Sequence, residues 1–410
     1  MIRRAGCCLA LAFAQAAWGM EWAASYALTP DASRSRTGSP YAQPESRAGN
    51  GWRQDIGLRA AAGGGVGQFN LRTEARFGER AVTHIDVNQL YLDHTLAEGA
   101  GRTWGLTAGK KILASPIGFG FRPLDVIQQE NRRRFNAPPL TGVPLVAVDR
   151  LTAGDALGLV ASGRPDEGPQ REALTLRATH GADTYEIHAV AQGMAGQGGA
   201  FGIGAMGTPP GEGDSAWDTA WHGAALWQRR APVLRHRLAD DPAGPPLATG
   251  NPLQPDERAA VWKTVAGVQF SHGSGWGLLL EYWHDGSAWR ASEWRRLDRL
   301  TRRQQALAGL APMAAIQGNL AWSAGAFAAP SLLPDNVMAR LSYTAESWNG
   351  ALEWLATPED GGNVLTLGLT REGNRQKGQF GWQHLAGPAD SAYGQAPTRD
   401  FLFVRWLWAL

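Results

Sequence analysis

The chain has 410 residues with 39 Lys+Arg against 37 Asp+Glu, and its 52 glycines, 24 prolines and 18 tryptophans stand beside only two cysteines. A balanced charge gives no bulk affinity for a polyanion such as nucleic acid. Cys7 and Cys8 are the only thiols, so disulfides, thiolate metal sites and cysteine nucleophiles are excluded beyond them.

Arg3 and Arg4 precede an apolar run from Ala5 to Ala14, and small residues follow at Ala14 and Ala16. This is the layout of a secretory signal peptide over 1–16, with cleavage after Gly19 as the alternative. Losing Arg3 and Arg4 takes Lys+Arg from 39 to 37, equal to the 37 acids, so the exported chain is formally neutral. No later apolar stretch reaches the roughly 18 residues of a transmembrane helix. A spanning structure must then satisfy its backbone by closing a sheet, and 20–410 is expected to form one such unit.

The segment 68–77 sets the pattern, with Phe69, Leu71, Thr73, Ala75 and Phe77 alternating with Asn70, Arg72, Glu74 and Arg76. A tilted barrel strand needs about ten residues of this kind, apolar toward lipid and polar toward an aqueous lumen. Similar segments recur at 52–62, 83–96, 102–113, 171–180, 184–195, 217–229, 259–272, 275–285, 335–346, 348–357, 362–372 and 376–387. Less regular candidates are 20–29, 143–152, 155–163, 199–206 and 316–328. Gly63, Gly64, Gly78, Gly181, Gly273, Gly275, Gly350, Gly361 and Gly373 supply the turn chemistry of successive hairpins. At the end of the chain Leu402, Val404, Trp406, Trp408 and Leu410 form an apolar row whose opposite face admits Arg405.

The expected fold is all-β, a transmembrane antiparallel β-barrel of about 16–18 strands, with 18 preferred. Including 20–29 while keeping both termini on one side requires that one later segment is not a strand. Trp52, Trp104, Trp217, Trp276 and Trp348 fall near predicted strand ends, and with Trp406 and Trp408 they are candidate membrane-interface aromatics. Long connections are expected near 114–142, 230–258 and 286–315, where specificity should reside. The middle one, rich in Pro, Asp and Gly, reads as a solvated loop. In the third, Trp294, Leu297, Leu300, Gln304, Leu307 and Leu310 recur at helical spacing among Arg295, Arg296, Arg299, Arg302 and Arg303. That predicts a short amphipathic helix on the rim or folded into the mouth.

The stretch 109–134 behaves as neither strand nor ordinary loop. Its Gly109, Lys110, Gly118, Phe119, Gly120, Phe121, Pro123, Asp125 and Val126 resemble the motif of a porin-like group of proteobacterial outer-membrane barrels. There a strand ending in Gly-Lys or Gly-Arg runs into a glycine-aromatic stretch and a Phe-x-Pro-x-Asp-Val element. The stretch 355–369 is similar to the hairpin such proteins carry before their last strands. The resemblance implies a Gram-negative outer-membrane location, contact with outer-membrane lipid, and a channel for small hydrophilic solutes or an exported polymer. It also implies insertion by the barrel assembly machinery, although the chain ends in Leu410 where many such strands present an aromatic.

Physically, Arg122, Arg132, Arg133 and Arg134 opposed to Asp125 and Glu130 are candidates for a pore constriction, where a transverse field would orient charged solutes. The competing reading is that these charges pair at the rim and only hold the loop down. A second function is a plugged barrel acting as a surface receptor or as the assembly partner of an export system. It is favoured if 114–142 and 286–315 fill the lumen.

Gly202-x-Gly-x-x-Gly207 imitates a dinucleotide site, but it lies within a predicted strand with no helix after it, so its glycines are expected to serve packing or a bend. Gly-x-Ser-x-Gly is absent. A surface hydrolase would need a serine or acid beside His222, His272 or His284. The nine histidines are dispersed, the nearest approach to a cluster being His84 with Asp86. A metal site needs three or four converging ligands, so no metal, no cofactor, no nucleic-acid partner and no enzymatic activity is expected. The solute stays unknown at this stage.

Overall fold

Alternation at period two leaves each strand with one apolar and one polar face, and a sheet of such strands is stable in lipid only when its edges meet. In a computed structural model they do. The strands are β1 (Glu21–Ser35), β2 (Asn50–Ala62), β3 (Gly65–Arg76), β4 (Val82–Ala97), β5 (Thr103–Lys111), β6 (Val143–Leu151), β7 (Asp155–Ser162), β8 (Ala173–Gly181) and β9 (Tyr185–Met194). They continue as β10 (Gly198–Gly207), β11 (Trp217–His236), β12 (Leu253–His272), β13 (Trp276–Asp285), β14 (Asp335–Ala345), β15 (Trp348–Thr357), β16 (Gly362–Glu372), β17 (Gln376–Ala386) and β18 (Thr398–Ala409). Each pairs antiparallel with its sequence neighbours, and β1 pairs with β18 to close an 18-stranded barrel. The structure describes residues 20–41, 50–76, 78–97, 99, 101–164, 171–196, 198–209 and 216–410. The predicted signal peptide and Phe77 lie outside them.

The faces follow the predicted alternation. On β3, Phe69 and Leu71 are exposed while Asn70 is buried and Arg72 turns inward. On β18, Leu402, Val404 and Trp406 face out, whereas Arg405 points to Asp55 of β2 across the lumen-facing register. Trp104, Trp217, Trp276, Trp348, Trp406 and Trp408 all sit on outward faces at the end where the chain begins and finishes, together with Tyr185 and Tyr343. Trp52 belongs to the other end, at the level of Trp262, Tyr282 and Trp354. The outer wall therefore carries two aromatic belts with aliphatic residues between them.

Two expectations need correction. Residues 230–258 are mostly not loop, because β11 and β12 are each 20 residues long and stay paired from Arg230↔Ala259 to His236↔Leu253. This ribbon stands above the neighbouring strands, where no lipid imposes an apolar face, so its prolines and charges imitate a loop. Only 237–252 connect its strands, through α1 (Arg237–Asp240). The second correction concerns 316–328, which is not a strand. It forms α3 (Met313–Ala324) and a 3-10 turn (Gly325–Ala328), with Ile316, Asn319, Leu320 and Ser323 buried at helical spacing. The third connection thus extends over 286–334, and its first helix, α2 (Ala291–Gln305), is the predicted amphipathic one. A last short helix, α4 (Ala392–Gln395), precedes β18.

Candidate functional site

The connection from β5 to β6, residues 112–142, folds into the barrel. Its shape is set locally by the glycines of the 109–126 motif. Gly118 has φ +98°, a conformation that favours glycine, and a side chain there would strike the Phe121 carbonyl. At Gly120 an added Cβ would come within 3.0 Å of the Trp283 ring and 3.1 Å of Glu281 Oε1. The Asp125 carboxylate accepts a hydrogen bond from the Ser115 N–H and so ties the two arms of the apex together. Asp125 is buried, and burial pushes its carboxyl up to about 7.

The apex crosses the lumen. Glu281, at the centre of β13, has no exposed side-chain surface and accepts hydrogen bonds from three successive backbone N–H groups: Phe119 (2.7 Å), Gly120 (2.7 Å) and Phe121 (3.3 Å). His222 of β11 contacts the same carboxylate at 2.8 Å. A buried carboxylate is tolerated where several donors converge on it, and here a run of N–H groups forms the concave anion site. On the same side of the barrel Ile117 and Leu124 press against β10 at Gly204 and Gly202, where a Cβ would lie 2.7 and 2.6 Å from their methyl groups. The glycine string that imitates a dinucleotide motif is thus a floor for the loop.

The returning arm is fixed at five further places. Gln192 donates to the Val126 carbonyl (3.0 Å), Asn88 to the Leu140 carbonyl (3.0 Å), and Arg53 to both the backbone and side-chain oxygens of Asn136 (3.0 and 2.9 Å). Phe135 packs edge-on against Phe401 and tilted against Phe403. Arg133 donates to the Phe327 and Ala329 carbonyls (2.5 and 2.6 Å), linking this loop to the 286–334 connection above it.

The six residues singled out by charge therefore separate. Arg122, Glu130 and Arg132 come together, Glu130 lying 3.0 Å from Arg132 and 4.0 Å from Arg122. Arg132 also lies over the Phe119 ring, whose other neighbour is Arg340, itself paired with Glu353 at 3.3 Å. Burial and the neighbouring Arg132 hold the Arg122 guanidinium below its usual range. Asp125 sits inside the loop, Arg133 is an anchor, and Arg134 lines a chamber that Glu130 also borders. On the wall opposite Glu281, Arg53, Arg72 and Arg405 converge on Asp55, and Arg72 also reaches Asp86 at 2.8 Å.

Two cavities flank the loop. One of about 590 Å³ lies toward the open connections and is lined by Arg72, Glu130, Arg134, Lys263 and Trp294 among others. The other, of about 450 Å³, lies toward the terminal end beside Lys111, Asp125, Asp149 and Arg177. A closed 18-strand barrel with a long loop folded across its lumen and an aromatic belt at each end decides the architecture. The fold is that of an outer-membrane porin.

Solved porin-fold structures align along nearly the whole chain. Acinetobacter baumannii OccAB1 is 6% identical with a TM-score of 0.55, covering 96% of both chains. Pseudomonas aeruginosa OccK2 (OpdF) in complex with glucuronate is 8% identical with a TM-score of 0.55, covering 95% of this chain and 98% of that one. A BenF-like porin from Pseudomonas fluorescens Pf-5 is 8% identical with a TM-score of 0.53, covering 95% and 98%. At such identities the likeness is one of fold. No family model and no curated protein matches the sequence.

Glu281, His222, Arg53, Arg340 and Glu353 were not found by the motif. Glu281 did leave a trace, because Leu279 and Trp283 beside it make the lumen side of β13 almost as apolar as its outer side, Leu278, Leu280 and Tyr282. A barrel strand apolar on both faces must be covered from within. His222, His272 and His284 occupy three separate places, bound to Glu281, Ser274 and Asp335 respectively. Among the described residues no group of three His, Asp or Glu is placed to hold a metal.

Proposed function

We propose that the protein is a channel of the Gram-negative outer membrane, passing small hydrophilic solutes through a charged neck formed by the 112–142 loop. The observation that carries this reading is the attachment of the loop apex to Glu281 across the lumen, which brings Arg122, Arg132 and Arg340 together with Glu130 and Glu353. The aromatic belts supply the contact with outer-membrane lipid, and the strand-forming C-terminus is the segment the barrel assembly machinery would engage.

Solutes would enter the 590 Å³ chamber, pass the neck and leave through the 450 Å³ cavity. With Glu281 beside them the neck sets three arginines against three glutamates, whereas the wall at Asp55 sets three against Asp55 and Asp86, one positive charge in excess. In a narrow, low-dielectric path that excess favours anions. Purified mature protein in a planar bilayer should give steady single channels with a reversal potential displaced toward anions. Shortening 114–142 should raise conductance. Silence before shortening and steady current after it would favour the plugged barrel, and the export-system partner would then be the role to test.

A further inference from the structure

The 286–334 connection lies over the mouth of the barrel. Its helix α2 is held from several points of the rim. Ala291 N–H donates to Glu359, between β15 and β16, at 3.1 Å, and Gln305 donates to the Pro40 carbonyl, after β1, at 2.9 Å. Arg303 donates to the Pro242 and Gly244 carbonyls, after β11, at 2.7 and 3.2 Å. β1 and β11 lie well apart around the 18-strand ring, so the helix spans the opening and not the surrounding lipid. Its inner stripe, Trp294, Leu297, Leu300 and Gln304, is buried.

The outer stripe is different. Ser292, Arg295, Arg299, Arg302 and Arg303 are exposed with no apolar side chain among them. The connection contains Arg290, Arg295, Arg296, Arg299, Arg302 and Arg303 against Glu293 and Asp298, six cations less two anions, in a chain whose remainder carries 33 Lys+Arg against 35 Asp+Glu. The acids at hand are already engaged: Asp298 by Arg302 (2.9 Å), Glu293 by Arg258 (3.2 Å), and Asp240 by Arg296 (3.2 Å) and Arg235 (2.5 Å). Among the described residues no carboxylate lies within ion-pair distance of Arg295 or Arg299.

We propose that the outer face of α2 is a docking surface for a soluble, linear polysaccharide that bears one carboxylate per repeating unit. Arg295 and Arg299 stand four residues apart, about 6 Å along the helix axis, and the exposed Arg302 and Arg303, themselves bound to Asp298 and to the Pro242 and Gly244 carbonyls, continue the positive face. Such a row matches charges repeated along a chain, where a single small anion would engage one arginine and leave the others unused. A protein partner would need an apolar centre to its interface, which this stripe lacks. The position above the lumen separates the row from lipid headgroups. The proposal goes beyond the channel reading and does not depend on whether the barrel conducts.

The test uses the whole mature protein in a neutral detergent, with fluorescent polygalacturonate as probe, dextran of matched length, and vesicles of anionic phospholipid. Polygalacturonate should bind, and should weaken as salt is raised, because exposed charges are screened beyond a Debye length of about 10 Å at 0.1 M. The Arg295→Gln/Arg299→Gln variant should bind roughly tenfold more weakly or worse at low salt, and Arg295→Lys/Arg299→Lys should keep most of the affinity. Both leave the buried stripe intact, and unchanged proteolysis of 286–334 would establish that the helix is still folded. Equal binding by the glutamine variant, equal binding of dextran, or arginine-dependent binding of vesicles without that of polygalacturonate would each overturn the proposal.

Discussion

Replacing Glu281 by glutamine tests the central element of the site. The carboxylate receives Gly120 and Phe121 on one oxygen and Phe119 and His222 on the other. Glutamine keeps one acceptor and turns the other position into a donor, so at least one backbone N–H loses its partner and the rest lose charge assistance. A hydrogen bond to a charged group contributes about 1.5–3 kcal/mol, and breaking a buried charged contact costs roughly 3–5 kcal/mol. The relief of desolvating a carboxylate offsets part of this, so we take about 3 kcal/mol as the loss in apex docking, close to a hundredfold in its equilibrium. In planar bilayers Glu281→Gln should flicker between conductance levels with a higher mean current, and trypsin should cleave at Arg132 or Arg134 faster than in the parent. Glu372→Gln, which removes the partner of Lys377 on the terminal rim, serves as control and should change neither. If Glu281→Gln matches the parent in current noise, mean conductance and proteolysis, the carboxylate does not hold the loop and the argument fails.

Gly118→Ala should release the apex as Glu281→Gln does, since φ of +98° and the Phe121 carbonyl both oppose a Cβ, and unchanged channel noise would count against it. Gly204→Val should displace Ile117 from the wall and give the same phenotype without altering barrel insertion, measured by heat-modifiable gel mobility. The carboxyl of Asp125 is raised to about 7 from 3.8, so the folded loop binds the proton more tightly than the open one. That contribution is complete below about pH 4 and lost as pH rises through 7. Loop protection from protease should therefore fall between about pH 4 and 7 in the parent and level off above that, and Asp125→Asn should flatten the dependence; a variant with the parent's pH profile would assign the titration elsewhere. Trp294→Ala empties a fully buried site whose indole donates to the Leu332 carbonyl at 2.6 Å, and should cost about 3–5 kcal/mol locally. It should make 286–334 protease-sensitive while the barrel stays intact, and equal resistance would show that the cap draws its stability from elsewhere.

The wall of this protein was legible because lipid imposes one rule on every spanning strand. Row after row of apolar residues at period two, as in Phe69–Leu71–Thr73 or Leu402–Val404–Trp406, marks the outward face whatever its neighbours do. The count of 18 followed once 316–328 proved helical, because its alanines and its buried Ile316, Asn319 and Leu320 answer to helix packing and not to lipid. Where lipid ends, the rule ends too. The ribbon of β11 and β12 above the neighbouring strands has the composition of a loop for that reason.

The interior depended on a different kind of information. The glycines and charges of 109–134 announced an unusual loop, and its sequence determined the tight turn at Gly118 and the internal tie between Asp125 and Ser115. Which of its charges would meet was decided only by closure of the barrel. Glu281 lies about 160 residues along the chain from the backbone it binds, and no local spacing encodes a contact made across a lumen. Sequence thus determined what each strand turns toward lipid, a property of single segments in a uniform solvent. The tertiary structure alone decided what faces what inside, because the walls of a barrel become neighbours only after the sheet has closed.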